Sequence, residues 1–209
     1  MSKFIPILFS TPMVQAILEG RKSMTRRVMK PQPHESITNI KFGYSALTPD
    51  GCIELRGKFI VDGEERSGSK FFKCPYGEIR DVLWVRETFM NLINSEFGEY
   101  GYKADLKDNA DKLKWKPSIF MPKEACRIFL KITNVRVERL KDISREDASK
   151  EGVCISNKQQ RFKGYQEHRW PEENFATLWE LLNGDHSWEA NPFVWVIEFK
   201  RVEKPVNFN

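Results

Sequence analysis

Apolar and polar positions alternate with a period of two through much of this chain. In residues 193–199, Phe193, Trp195, Ile197 and Phe199 fall on one face. In residues 81–89, Leu83, Val85 and Phe89 share one face, while Val82, Trp84 and Arg86 share the other. Both patterns are those of pleated strands. Residues 126–140 hold the longest strand pattern, with Ile128, Leu130 and Ile132 on even positions and Val135 and Val137 on odd ones. A slip of one residue turns every later side chain to the opposite face, so a bulge or sharp bend is expected near Thr133-Asn134. Residues 5–9 read as a short buried strand with Pro6 near its start.

Helical spacing takes over elsewhere. Ser10-Thr11-Pro12 supplies a hydroxyl cap and a proline for the first turn, Met13/Ile17 and Val14/Leu18 pair at i,i+4, and Gly20 closes the helix. Ser144-Arg145-Glu146-Asp147 matches a capping box and opens a short helix that Gly152 should end. A third helix starts at Pro171 with Glu172 and Glu173, and Phe175, Leu178, Trp179 and Leu182 form its inward stripe, read as core. Residues 35–80 are short β-like runs broken by Pro49-Asp50-Gly51 and Asp62-Gly63, which suggests hairpins that elaborate a core rather than build it. Gly98, Gly101, Pro117 and Pro122 punctuate the irregular residues 90–125. Strands dominate and βαβ alternation is missing. The expected fold is α+β: a mixed or antiparallel β-barrel with peripheral helices, one domain over residues 1–209, with a hairpin insertion around 35–80 and a loop insertion around 153–170.

Composition narrows the function classes. The 209 residues are 40% hydrophobic and 30% charged, which is globular rather than disordered. No apolar run approaches the roughly 18–20 residues that span a bilayer, and the N-terminus lacks a basic region followed by a long apolar one. No membrane partner and a cytoplasmic location are therefore expected. Cys52, Cys74, Cys126 and Cys154 are widely spaced, and His34, His168 and His186 are isolated, so neither a metal site nor a disulfide framework is indicated. No cofactor is expected. The net charge of +5 fits a polyanionic partner.

The chemistry concentrates in Gly20-Arg21-Lys22-Ser23-Met24-Thr25-Arg26-Arg27. Five cationic side chains and no acid lie between Arg21 and Lys30. Such a cluster is a solvated surface or a phosphate contact, and a lysine beside a threonine hydroxyl is also the arrangement of a base-activated nucleophile. Glu151 falls at the last turn of a short helix, where the dipole disfavours negative charge, as suits a general acid. Glu87 shares the Leu83/Val85 face, either facing a cleft or paired with an arginine. Trp84 offers a stacking surface for a base or a place in the core. Residues 157–170 interleave basic and aromatic side chains, including Lys158, Arg161, His168, Arg169 and Trp170.

The 20–27 segment together with Asp81-Val82-Leu83-Trp84-Val85-Arg86-Glu87-Thr88 resembles the ASCH domain family of the PUA-like superfamily. Trp115-Lys116-Pro117-Ser118-Ile119-Phe120-Met121-Pro122 and the closing residues 191–199 are similar to its larger phage and prophage form. The resemblance implies a PUA-like barrel with a cleft for RNA or a modified nucleoside. One small bacterial member removes the acetyl group from N4-acetylcytidine with a lysine as proton acceptor, a threonine as nucleophile and a glutamate as proton donor. Matched by motif, the lysine and threonine fall on Lys22 and Thr25, and matching the short helix after the long strand places the glutamate at Glu151. Arg21, Arg26, Arg27, Trp84, Arg86 and Glu87 are expected to bind the substrate or nucleic acid. Three functions follow as expectations: an amidohydrolase on N4-acylated cytidine, a ribonuclease, or a non-catalytic nucleic-acid reader.

Overall fold

A computed structural model of the chain describes residues 2–33, 52–92, 99–106, 112–153 and 170–208. The Pro49-Asp50-Gly51 turn, Cys154, His34, Gly98 and the basic and aromatic residues from Lys158 to Arg169 lie outside the described residues. The fold is α+β. Five strands form one mixed sheet in the order β1 (Phe4–Leu8), β5 (Val82–Arg86), β8 (Phe129–Arg139), β9 (Phe193–Val202), β2 (Met24–Val28). β1 runs parallel to β5, and the other pairings are antiparallel.

The expected closed barrel is not formed, because β1 and β2 are edges that make no ladder with each other. They are nevertheless close. Arg27 Nη2 on β2 donates to the Leu8 carbonyl on β1 at 2.8 Å. Five strands laid flat would hold their outer strands about 19 Å apart at the usual spacing of about 4.8 Å. One arginine side chain cannot span that, so the sheet is strongly curved and stops short of closure. The chain crosses from one edge to the other through α1 (Thr11–Leu18), whose Val14 and Ile17 are buried in the core inside the curve.

The slip in β8 sits where the periodicity places it: its register with β9 shifts between Ile132 and Asn134. The slip lets Ile132 and Val137 face the same core, together with Phe193, Trp195, Ile197 and Phe199 of β9. The opposite face of β9, Val194 and Val196, is covered by α2 (Arg145–Lys150) and α3 (Pro171–Asn183), through Ala148, Phe175, Leu178 and Trp179. Leu182 departs from the expected stripe and is 46% exposed. A third apolar cluster joins Val82, Phe89, Met121, Phe129 and Phe208 beyond the β5 side of the sheet. Beside it β6 (Phe89–Asn91) pairs with β7 (Tyr100–Tyr102).

The two capping expectations divide. Ser144 Oγ accepts the Asp147 amide at 3.1 Å, the bond the capping box requires. Ser10 holds the N-cap position of α1, but its side chain makes no capping bond. The 35–80 region also differs from the reading of a pure elaboration. β3 (Cys52–Val61) and β4 (Glu64–Lys73) form a hairpin about Asp62 and Gly63, both at positive φ as a two-residue Asp-Gly turn demands. Its foot is core: Leu55, Phe72 and Cys74 are buried with Phe9 and Leu83. Replacing Phe72 with Ala should therefore cost about 3 kcal/mol. Replacing its neighbour Phe71, 55% exposed, should cost under about 0.5 kcal/mol. Urea unfolding of the two variants reads this difference, and equal losses would contradict a core role for the hairpin foot.

Candidate functional site

The basic segment begins where α1 ends. Gly20, at φ +75°, turns the chain, and the amides of Arg21 and Lys22 return to the Ala16 carbonyl at 2.9 and 3.0 Å. Lys22 then forms an isolated antiparallel bridge with Glu151, and the Ser23 amide donates to the Lys150 carbonyl at 2.9 Å. Gly152 makes this approach feasible. It sits at φ +87°, and a Cβ there would stand 2.9 Å from the Cβ atoms of Ala16 and Lys22. The end of α2 is thus docked against the start of β2, and Lys22 and Glu151 meet although 129 residues separate them.

Both side chains are almost wholly buried. Lys22 Nζ donates to Glu151 Oε2 at 2.7 Å and to the Glu151 carbonyl at 2.9 Å. The other carboxylate oxygen of Glu151 accepts from Arg26 Nη1 at 3.2 Å. Arg26 also donates to Glu138 Oε1 from Nε at 2.9 Å and from Nη2 at 2.5 Å, and to Asp147 Oδ2 at 3.1 Å. Arg136 extends the network to Glu138, Asp147 and Glu198. Buried charges are tolerated when paired and hydrogen-bonded in this way. Glu138 was not among the residues singled out from the sequence. Its signal was the alternation Arg136/Glu138 opposite Val135/Val137, which reads as a solvated face until α2 is known to cover it.

The β2–β9 register sorts the motif onto two faces. Arg26 lies opposite Val196, on the side covered by α2 and α3. Thr25 and Arg27 lie opposite Ile197 and Trp195, on the inner side of the curve. Lys22 Nζ and Arg27 Cζ both approach the Phe9 ring there, at 5.6 and 5.3 Å from its centroid. Lys22 and Arg27 therefore flank Phe9. Lys22 is not among the residues that line the cleft between the edge strands, and no hydrogen bond joins Lys22 to Thr25 among the described residues.

A cleft of about 820 Å³ opens at the seam between the two edge strands. Leu8 of β1 and residues 25–28 of β2 line it with Glu151, Tyr76 and the Phe175–Trp179 side of α3. Four buried polar atoms make no hydrogen bond among the described residues: Ser10 Oγ, Arg27 Nε, Trp179 Nε1 and Ser187 Oγ. All four belong to residues that line this cleft. Buried polar groups are nearly always paired, so their gathering at one place sets the cleft apart from the rest of the molecule. Among the described residues no group of three or more His, Cys, Asp or Glu side chains is placed to hold a metal ion.

The remaining expected binding residues lie elsewhere or are engaged. Arg21 donates to the Gly152 carbonyl at 2.7 Å and pairs with Glu19. Arg26, expected at a phosphate, has a fully buried side chain held by three carboxylates. Arg86 donates to the Met121 carbonyl at 3.1 Å and to that of Ile119, with its guanidinium over the Trp84 ring. Trp84 packs on Phe208. Glu87 is 1% exposed and receives both arms of Arg127 at 2.9 and 3.0 Å, the structural alternative of its two readings. Burial pushes its carboxyl upward against the pull of Arg127. Trp84, Arg86 and Glu87 do not line the cleft.

The chain matches no family model, no curated protein and no solved structure.

Burial is the strongest influence on Lys22 and draws its ammonium below the ordinary value; the Glu151 charge and hydrogen bond oppose it, and Arg27 and Arg26 add repulsion. Burial likewise lowers Arg27, whereas for Arg26 the carboxylates of Glu151, Glu138 and Asp147 outweigh desolvation and raise it. The consequence for Lys22 can be measured. The folded chain releases this proton at lower pH than the unfolded chain, so between the two values the unfolded chain binds more protons and stability rises with pH. On the alkaline side, up to the ordinary 10.5, the native protein should gain stability relative to a Lys22→Met variant as pH rises. Urea titrations across that range should show diverging curves, and parallel ones would refute the lowered ammonium.

Proposed function

We propose that the chain is an ASCH-type, PUA-like protein that binds a modified nucleoside or the RNA carrying it. Its chemistry is amide hydrolysis of an N4-acylated cytosine, with Thr25 as nucleophile and Lys22 and Glu151 as the proton relay. The observation that carries this reading is the buried Lys22–Glu151 pair at 2.7 Å, whose Glu151 lines the same cleft as Thr25. A volume of about 820 Å³ suits a nucleoside-sized ligand. The unpaired Arg27 Nε and Trp179 Nε1 are donors and suit a base rich in carbonyl acceptors.

The proton inventory fits the pair. A threonine hydroxyl is a poor nucleophile until a base takes its proton. Lys22 becomes such a base when its own proton crosses to Glu151, which turns the ion pair into a neutral amine beside a carboxylic acid. Burial favours the neutral amine of Lys22, because it penalises the ammonium. Thr25 Oγ1 then bonds to the acyl carbon and gives its proton to Lys22. Glu151 delivers its proton to the departing N4, and the C–N bond breaks. The proton of Lys22 crosses to Glu151 again, and water then bonds to the acyl carbon and gives a proton to Lys22. Glu151 returns its proton to Thr25 Oγ1 as the ester C–O bond breaks, and the carboxylic acid leaves with the ion pair restored. Arg26 holds Glu151 Oε1, so the carboxylate keeps its orientation through the cycle.

Incubation with N4-acetylcytidine followed by product chromatography tests the proposal. The native protein should release cytidine. Thr25→Val, which keeps the side-chain shape and removes the hydroxyl, should lose at least about a thousandfold in rate while unfolding at nearly the same urea concentration. Native-like turnover by that variant would exclude Thr25 as nucleophile.

A further inference from the structure

The 115–122 motif plays no part in the cleft chemistry, yet it presents an unusual surface. Residues 112–123 contain four lysines and no acid. Lys112, Lys114 and Lys116 are exposed and form no salt bridge among the described residues. Within the same short stretch Phe120 is 69% exposed and Ile119 58%. Such apolar groups do not stand out in solvent for the sake of packing. The backbone beneath them is fixed: Lys116 exchanges amide–carbonyl bonds with Phe89 at 2.7 and 3.2 Å, and Arg86 grips the Ile119 and Met121 carbonyls.

The position of this surface links it to the cleft. Leu8 lines the cleft and is paired with Arg86 in the parallel β1–β5 ladder. One strand spacing of about 4.8 Å and one arginine side chain therefore separate the cleft wall from the Ile119–Phe120 turn. An exposed ring beside lysines is the combination that stacks a base and neutralises neighbouring phosphates. A protein partner would have to bring carboxylates to match the lysines, whereas a nucleic-acid strand carries a base face and phosphates together.

We propose that residues 112–120 form an outer platform for single-stranded nucleic acid, with Phe120 stacking a base and Lys112, Lys114 and Lys116 meeting phosphates. The platform would lead the strand over Leu8 into the cleft. This deepens the nucleoside reading above and rests on it for the substrate's chemistry: the modified base is met within a polynucleotide rather than as a free nucleoside.

The test is fluorescence anisotropy with a short labelled single-stranded RNA, the same sequence as DNA, and its duplex, measured over a range of salt. Free N4-acetylcytidine hydrolysis is followed in parallel. The native protein should bind the single strands in preference to the duplex. Phe120→Ala should weaken that binding about tenfold. The Lys114→Glu/Lys116→Glu variant should lower the salt slope by at least about 1.4. Both variants should hydrolyse the free nucleoside at the native rate. Equal losses on RNA and DNA support a platform that reads phosphate and base face without the 2′-hydroxyl. Native affinity and salt slope in both variants, or preference for the duplex, would overturn the platform. Absence of nucleoside hydrolysis alongside intact platform effects would instead remove the hydrolase reading and leave the platform standing.

Discussion

The carboxylate of Glu151 is the point on which the site depends. One oxygen accepts Lys22 and the other accepts Arg26, and all three side chains are withdrawn from water. Removing either cation would leave a buried charge short of a partner, a loss of several kcal/mol in comparable cases. The same carboxylate joins parts of the fold that are far apart in sequence: the start of β2, the end of α2 and, through Arg26, Glu138 on β8. Gly152 completes the joint, since any side chain there would push Lys22 away.

Curvature gives this joint its access. A sheet that closed would pair β1 with β2 and bury Thr25 in a ladder on both sides. Among the described strands β2 forms a ladder with β9 alone, and the cleft opens on its other side. Arg27 ties the gap at the Leu8 carbonyl and α1 packs inside it, so the seam is held at a defined width. The edge of β2 therefore forms a wall of the cleft, with Arg27 and α3 covering what would otherwise be an exposed pairing edge.

Local signals in the sequence were reliable where the physics is local. The phase slip in β8, the Ser144 capping box, the Asp62-Gly63 turn and the glycine ends of two helices all depend on a few adjacent residues. What depended on pairing across the chain was not legible. Nothing in residues 4–8 or 24–28 tells that they will be the two edges of one sheet. The Lys22–Glu151 contact joins residues 129 apart, which spacing alone cannot do. Arg26 shows the limit well. A basic cluster reads as surface, yet every second residue of a strand points inward, and Arg26 points into three acids contributed by β8 and α2. Ser10 shows the converse: its sequence position is that of a cap, but its hydroxyl makes no capping bond and is buried on a residue that lines the cleft.

As the proposed nucleophile, Thr25, served by the Lys22–Glu151 pair, would form a covalent ester with the acyl group. Rapid acid quenching of the protein during turnover of N4-acetylcytidine, followed by peptide mass spectrometry, tests it directly. The account predicts an acetyl adduct on the peptide containing Thr25, and on none when that residue is valine. Turnover with no adduct, or an adduct on another side chain, would contradict it.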